Sequence, residues 1–257
     1  GYFSRHSTRR SHFRHSLIVS DRRARESTLT SVADDGPFND YGHFVPSSKR
    51  STLVFLVRHG QTPTTGVELY GRKPGVFLSE VGSEQAQRVG ERISQIRKGA
   101  FSAIYASPLE RTKQTAQAIS REVDLRVRHD KGLLELDVGD WTGRKLSELR
   151  KLKAWTSVQK YPSGFRFPGG ESFLEMQTRM AATVERLVAK HAGKGLILVS
   201  HADPIRALIA HAIGTHLDLF QRTVVSPCSV TAILYTTNGP VVLSVNNTGG
   251  LNDLAPA

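Results

Sequence analysis

The 257-residue sequence has little cysteine, no long apolar run and no stripe of one charge sign. A single cysteine, Cys228, cannot form an intramolecular disulfide and suggests no thiolate metal site, which favours a reducing compartment. The longest apolar run, around residues 195–199, has the length of a strand, whereas a membrane-spanning helix needs about 20 residues. We therefore expect a cytoplasmic protein with no membrane span.

The net charge of +12 is not gathered into a patch interleaved with aromatic residues. A nucleic-acid-binding chain is expected to show such a patch or a recognisable module, so we expect no nucleic-acid partner. Residues 1–50 carry nine Lys and Arg against five Asp and Glu, which leaves +8 on the remainder. An excess of this kind is typical of solvated surface and of a mouth that attracts anionic substrates.

Residues 1–50 differ in composition from the rest, because they are rich in Arg and Ser and lack an apolar helical face. We expect a disordered basic arm over residues 1–50, a folded domain over residues 51–248 and a tail over residues 249–257. The acid-poor start also resembles an organellar transit peptide, which would mean import into an organelle. We favour the alternative, an incidental extension upstream of the domain.

Strand-like and helix-like segments alternate from Thr52 onward. Short apolar runs predict strands over residues 52–57, 101–106, 125–127 and 195–200. Apolar residues at helical spacing predict helices over residues 79–97, 108–122, 171–191 and 204–213. Two further strands, over residues 229–235 and 241–245, flank an Asn-Gly hairpin signal.

This alternation predicts the α/β fold class: a three-layer sandwich whose mostly parallel sheet has helices on both faces and an antiparallel edge strand. Residues 154–170 are rich in Pro, Gly and aromatic residues, so we expect an irregular segment that serves as a lid or substrate loop.

Two histidines follow predicted strands, at the sheet edge where such folds bind ligands. Arg58 and His59 follow the first strand, His201 follows a later one, and Arg111 lies in the first turn of a helix. A neutral imidazole can attack phosphorus, and planar guanidinium groups match phosphate oxygens. Gly60 would let the backbone come close to an anion. The cluster indicates phosphoryl chemistry, and nothing in it calls for a metal or other cofactor.

Four sequence blocks carry a more specific signal. They are Arg58-His59-Gly60-Gln61-Thr62, Ser107-Pro108-Leu109-Glu110-Arg111-Thr112, Leu134-Glu135-Leu136-Asp137-Val138-Gly139-Asp140-Trp141-Thr142-Gly143, and Val199-Ser200-His201-Ala202-Asp203-Pro204-Ile205-Arg206. A smaller cue is Pro168-Gly169-Gly170-Glu171-Ser172. In this order, the blocks resemble those of the histidine phosphatase superfamily, the phosphoglycerate mutase-like enzymes. The resemblance covers roughly residues 52–245.

The resemblance implies a role for each matching residue. His59 would be the nucleophile that becomes phosphohistidine, and Arg58, Arg111 and His201 would hold the phosphoryl group, His201 as a further donor if protonated. Glu135 would protonate the leaving oxygen and then activate water, because a carboxyl group beside a phosphate can have a raised pKa. The implied substrate-binding residues are Gly60, Gln61, Thr62, Thr65 and Ala202.

Two of these positions depart from the family pattern. Thr65 stands where the family commonly has Asn, so a hydroxyl of shorter reach replaces an amide donor. Ala202 stands where Gly is frequent, and it would be strained if φ were positive there. Neither change removes a charged or proton-transferring group, so we expect altered phosphate affinity before lost catalysis.

The resemblance therefore implies a metal-independent phosphomonoester hydrolase that acts on a small phosphorylated metabolite. A phosphoglycerate mutase-type phosphomutase is the alternative within the family, although the segment between Glu135 and Gly169 is short for a mutase lid. A non-catalytic phospho-ligand-binding protein is the alternative from another class, and a pure binder would not need both nucleophile and acid. A homodimer is compatible with the sequence.

Overall fold

The computed structural model describes residues 51–251 and residue 254. The arm expected over residues 1–50, and most of the expected tail, lie outside the described residues. Within the described part, none of the helices combines the length and the apolar character that crossing a bilayer requires.

The secondary structure alternates between strands and helices, as the sequence predicts. The strands are β1 (Thr52–Arg58), β2 (Glu68–Leu69), β3 (Phe101–Ala106), β4 (Val127–His129), β5 (Arg144–Lys145), β6 (Gly195–Ser200), β7 (Val230–Thr236) and β8 (Gly239–Asn247). The α-helices are α1 (Glu80–Ser94), α2 (Glu110–Val123), α3 (Leu146–Leu149), α4 (Lys153–Lys160), α5 (Phe173–Lys190) and α6 (Ala202–Ala212).

Six strands form the main sheet, in the order β4-β3-β6-β1-β7-β8. The first four are parallel to one another, β7 is antiparallel to β1, and β8 is antiparallel to β7. The predicted α/β class, with its mostly parallel sheet and antiparallel edge, is confirmed. The small antiparallel pair of β2 and β5 was not predicted, because two-residue strands leave no periodic signal.

Strand β1 is buried on both faces because it lies inside the sheet, with helices on either side. Phe55 and Val57 pack into one apolar cluster with residues of α1 and α2. Val54 and Leu56 point the other way and pack with residues of α5 and α6. Each fully buried side chain of this size contributes about 1.5–3 kcal/mol, so the alternation fixes which way β1 faces.

A third apolar cluster, which includes Trp141, Phe167 and Phe173, corrects one expectation. Residues 154–170 are not irregular throughout, since α4 covers Lys153–Lys160 and a 3₁₀ turn follows. Trp155 stacks on Trp141 with ring centroids 6.2 Å apart, and Val158, one turn further along α4, is buried. The apolar face of α4 therefore packs on the cluster. The prediction of an irregular segment relied on Pro, Gly and aromatic content and did not consider this helical face.

Several element boundaries differ from prediction. The strand predicted over residues 125–127 is β4, at Val127–His129, and the helix predicted over residues 79–97 is α1, which ends at Ser94. Helix α2 begins at Glu110 instead of Pro108, because Leu109 keeps extended φ and ψ angles as its N-cap. Helix α6 begins at Ala202, directly after the second histidine, and not at Pro204.

Candidate active site

The central pair of parallel strands brings the two predicted histidines together. Strands β1 and β6 pair in register up to Arg58 opposite Ser200, so the next residue of each strand leaves the same sheet edge. The backbone N–H of His59 continues the ladder by donating to the Ser200 carbonyl at 3.0 Å. The rings of His59 and His201 meet edge to face, with centroids 5.2 Å apart.

His59 is held in one tautomer. Its Nδ1 lies 2.7 Å from the Gly60 carbonyl oxygen, and since a carbonyl only accepts, Nδ1 carries the proton. Burial lowers the pKa of His59 well below its ordinary value, and the cations Arg111 and Arg58 lower it further. The ring is therefore neutral at pH 7, with the lone pair of Nε2 available as a nucleophile.

The loop after His59 is fixed by close backbone contacts. The Gly60 N–H donates to Thr115 Oγ1 at 3.1 Å, and the Gln61 N–H donates to Gln85 Oε1 at 2.9 Å. A Cβ on Gly60 would lie 2.3 Å from the Gly82 carbonyl oxygen, in the first turn of α1. Glycine is required here for this close approach. Both N–H groups have partners within the protein, so these residues shape the loop.

The hydroxyl that replaces the family Asn is part of a small network. Thr65 Oγ1 accepts from the Thr62 backbone N–H at 2.9 Å, and the Thr62 hydroxyl lies 2.6 Å from the Tyr70 hydroxyl. The Tyr70 ring lies 5.3 Å from the Arg111 guanidinium carbon, within reach of a cation–π interaction. Sequence reasoning missed Tyr70, which no motif marks.

Of the two predicted arginines, Arg111 is buried and Arg58 is half-buried, and both are only partly paired. Arg58 Nη1 donates to the Val225 carbonyl at 2.7 Å, and Arg111 Nη2 donates to the Gly71 carbonyl at 2.8 Å. Among the described residues, Arg58 Nε and Arg111 Nε and Nη1 are buried donors with no hydrogen-bond partner. A buried unsatisfied donor costs about 1–3 kcal/mol, so an anion with several oxygens would remove a penalty here.

His201 is completely buried, and its two ring nitrogens differ in environment. Nε2 lies 2.8 Å from Ser107 Oγ, whereas Nδ1 has no hydrogen-bond partner among the described residues and lies 4.0 Å from Glu135 Oε2. Burial, followed by Arg111, lowers the pKa of His201 well below its usual range. This favours a neutral ring over the protonated one considered from sequence. Either atom of the Ser107 contact can donate, and the tautomer in which the Ser107 hydroxyl donates to Nε2 carries its ring proton on Nδ1.

Glu135 has the electrostatics of a group that can both give and take a proton. Burial raises its pKa, and nearby Asp203 adds to the effect, giving a pKa of about 7. Its Oε1 accepts from the Leu136 N–H at 3.0 Å. Asp137, the other candidate in this block, accepts instead from the Gly139 N–H and pairs with an arginine. The local geometry therefore favours Glu135 over Asp137.

Ala202 is free of the strain considered from sequence. In the described part of the chain, the non-glycine residues with positive φ are Asp124, Cys228 and Asn246. Ala202 instead begins helix α6, where any L-residue is accommodated.

A cavity of about 420 Å³ opens beside His59, a volume in the range of small-molecule sites. Five of the ten predicted site residues line it: Arg58, His59, Thr65, Glu135 and Ala202. The other five do not line this cavity: Gly60, Gln61, Thr62, Arg111 and His201. The remaining wall includes Leu146, Arg150, Trp155, Val158, Gln159 and Phe167.

Four charged residues of the cavity wall were missed as site residues: Glu68, Arg150, Asp203 and Arg206. Asp203 and Arg206 pair through Oδ1 and Nη1 at 3.1 Å, and Arg206 Nε donates to the Thr223 carbonyl at 2.9 Å. For Asp203 and Arg206, the available signal was their position near the start of helix α6, which directly follows His201. The described residues contain no cluster of three or more His, Cys, Asp or Glu side chains suited to a metal ion.

Fold and site together are those of an α/β phosphoryl-transfer enzyme, with a buried, neutral imidazole beside the cavity. The family description "histidine phosphatase superfamily (branch 1)" matches residues 54–248. The chain belongs to this family, as its four sequence blocks predicted, and it is an enzyme of the histidine phosphatase type.

Several known proteins are similar to this chain. Phosphoserine phosphatase 1 of Hydrogenobacter thermophilus is 29% identical over 210 residues, which cover 78% of this chain and 94% of the relative. Phosphoglycerate mutase-like protein 4 of Arabidopsis thaliana is 32% identical over 163 residues, which cover 62% and 70%. The structure of phosphoserine phosphatase from Entamoeba histolytica in complex with 3-phosphoglyceric acid matches with a TM-score of 0.69 at 26% identity, covering 77% and 98%.

Proposed function

We propose that this enzyme hydrolyses a small phosphomonoester through a phosphohistidine formed on His59, without a metal ion. One observation carries the proposal: a neutral His59, with its proton fixed on Nδ1, presents Nε2 beside buried donors that lack partners. The donors are positioned before the substrate arrives, so their stabilisation of charge requires little reorganisation.

In the first step, His59 Nε2 attacks phosphorus and the bond from phosphorus to the leaving oxygen breaks. Glu135 transfers its proton to that oxygen, so the product alcohol leaves neutral. The free donors of Arg58 and Arg111, and the N–H of His201, would bind the remaining phosphoryl oxygens. The Gly60 carbonyl, which accepts from Nδ1, stabilises the positive charge that develops on the phosphorylated ring.

In the second step, water attacks phosphorus and the bond between phosphorus and Nε2 breaks. The Glu135 carboxylate now takes the proton from that water, and His59 returns to its neutral form. A carboxyl group with a pKa of about 7 suits both steps, because both of its protonation states are populated near neutral pH.

We propose a small phosphorylated metabolite as the substrate. Two observations support this: the cavity volume of about 420 Å³, and the phosphoserine and 3-phosphoglyceric acid bound in structures of the Entamoeba histolytica phosphatase. Arg150 and Arg206 in the cavity wall would favour a substrate with a second anionic group.

A phosphomutase is the second candidate, supported by the similarity to phosphoglycerate mutase-like protein 4. A mutase would return the phosphoryl group to a second hydroxyl, whereas a hydrolase releases inorganic phosphate. Measuring both the isomerised ester and free phosphate from one reaction distinguishes the two.

We also propose that the catalytic domain covers residues 51–248, that the protein is cytoplasmic and that it can form a homodimer. The buried thiol of Cys228 is consistent with a reducing compartment, because no second cysteine exists to pair with it.

The test combines a substrate panel with trapping of the intermediate. Purified enzyme is assayed against phosphorylated metabolites with and without chelator, and is quenched after brief exposure to a radiolabelled substrate. We expect chelator-resistant turnover and an acid-labile, base-stable label on the protein, both abolished by His59→Ala. His211→Ala is the matched control, because His211 is exposed on α6. A label that survives His59→Ala would refute the mechanism.

A further inference from the structure

One motif of the sequence has no part in the chemistry described above: Pro168-Gly169-Gly170-Glu171-Ser172. Its Glu171 nevertheless lies in a network of charged side chains beside Glu135, the proposed general acid. We propose that Glu171 is a positioning residue that holds the Glu135 backbone in place through two arginines, Arg72 and Arg179. The inference rests on the proposed function, because it concerns the general acid of that reaction.

Both carboxylate oxygens of Glu171 are used. Oε1 accepts from Arg179 Nε at 2.8 Å, and Oε2 accepts from Arg179 Nη2 at 3.0 Å, so the two groups form a bidentate pair. Oε2 also accepts from Arg72 Nη2 at 2.9 Å. The Glu171 side chain is only 13% exposed, so this is a largely buried pairing whose geometry is fixed by several bonds at once.

The two arginines use their remaining donors on the segment that carries the acid. Arg72 Nε donates to the Glu135 carbonyl at 2.8 Å. Arg179 Nη1 donates to the carbonyls of Gly132 and Leu134 at 2.8 and 3.0 Å. Three backbone carbonyls within four residues are therefore held by cations that Glu171 orients.

The chain at Gly170 and Glu171 also contacts Asp137, two residues after the proposed general acid Glu135. The Glu171 N–H donates to the Asp137 carbonyl at 2.9 Å, and the Asp137 N–H donates back to Glu171 Oε2 at 3.3 Å. A Cβ on Gly170 would lie 2.4 Å from the Asp137 carbonyl oxygen, so only glycine permits this approach. These contacts explain the sequence motif at residues 168–172. Gly170 lets the chain approach the Asp137 backbone, and Glu171 supplies the carboxylate that binds the two arginines.

The Glu135 side chain depends on this support because its own hydrogen bonding is slight. One hydrogen bond positions its carboxyl group, from the adjacent Leu136 N–H, and the nearest site nitrogen, His201 Nδ1, is 4.0 Å away. The position of the carboxyl group is therefore set mainly by the backbone of residues 132–137. A displacement of about 1 Å at a reacting group can cost about 100-fold in rate.

The test is Glu171→Gln, measured as kcat/KM for an alkyl phosphate such as glycerol 3-phosphate and for 4-nitrophenyl phosphate. The ratio kcat/KM reports the steps up to phosphorylation of His59, and the nitrophenolate leaves without a proton. We expect a loss of about 10- to 100-fold for the alkyl ester and less than about threefold for the aryl ester. Glu175→Gln is the matched control, since it removes a carboxylate from the exposed pair with Arg166.

The double variant Glu135→Gln/Glu171→Gln should be no slower on the alkyl ester than Glu135→Gln alone, because Glu171 acts through Glu135. Equal losses on both esters, or losses that multiply in the double variant, would overturn the inference. Should Glu171→Gln not fold, Arg72→Gln decides by the same two esters, since it removes a donor to the Glu135 carbonyl. If Glu135→Gln itself shows no preference between the esters, the proposed function fails instead.

Discussion

Replacing Asp203 by Asn should narrow the pH range in which the enzyme cleaves alkyl phosphates. After burial, the charge of Asp203 is the next cause of the raised pKa of Glu135, while Arg111 and Arg58 act in the opposite direction. The substitution also frees Arg206 from its ion pair, which leaves an additional unpaired cation in the same cavity. Both effects lower the pKa of Glu135, so the acid loses its proton at a lower pH.

The size of the effect follows from the raised pKa. The rise from 4.5 to about 7 corresponds to about 3 kcal/mol in favour of the neutral carboxyl group, with burial as the largest cause. If Asn removes about 1.4 kcal/mol of this preference, the protonated fraction at pH 8 falls from about one-tenth to about one-hundredth. At pH 6 it falls only from about nine-tenths to about one-half.

The assay is kcat/KM for an alkyl phosphate between about pH 5 and pH 9, for wild type and Asp203→Asn. We expect the basic limb to move down in pH, with about tenfold lower activity at pH 8 and about twofold at pH 6. Cleavage of 4-nitrophenyl phosphate should keep its profile, because its leaving group needs no proton. Asp124→Asn, at the far end of α2, serves as control. An unmoved basic limb in Asp203→Asn would refute the electrostatic reasoning.

Two further predictions follow from single contacts, and a third concerns metal independence. Ser107→Ala removes the hydrogen-bond partner of His201 Nε2, so kcat/KM should fall about 5- to 30-fold. An unchanged kcat/KM would show that this hydrogen bond does not contribute to catalysis. Gly82→Ala would place a Cβ 1.9 Å from the Gln61 carbonyl oxygen, so thermal unfolding should occur at lower temperature and KM should rise; Gly249→Ala, which meets open space, should change neither. Incubation with EDTA should leave kcat unchanged, and a loss restored by added metal would contradict the proposed chemistry.

Sequence reasoning worked best where a segment's environment follows from its own residues. The strands Phe101–Ala106 and Gly195–Ser200 have the predicted bounds, because continuous burial leaves a continuous apolar run. The pairing of His59 with His201 could be predicted as well, since parallel strands place their carboxyl ends at one edge.

What the sequence could not predict depends on residues that are distant in the chain. Tyr70 lies against Arg111, and the arginines that hold the Glu135 backbone are Arg72 and Arg179. No spacing rule links such positions, because their contacts arise only after the sheet and helices pack together. Helix α4 was missed for a related reason: its stability depends on packing against the aromatic cluster.

The in-register pairing of β1 with β6 has a consequence for how such an enzyme can diversify. The spacing of the two imidazoles is set by main-chain bonds between buried strands, whereas the far wall of the cavity is made of short helices such as α4. Substitutions in that wall can alter which ester fits without disturbing the separation of the rings. New substrate preferences are therefore accessible by changing α3 and α4 alone, while the attacking nitrogen and its neighbours remain in place.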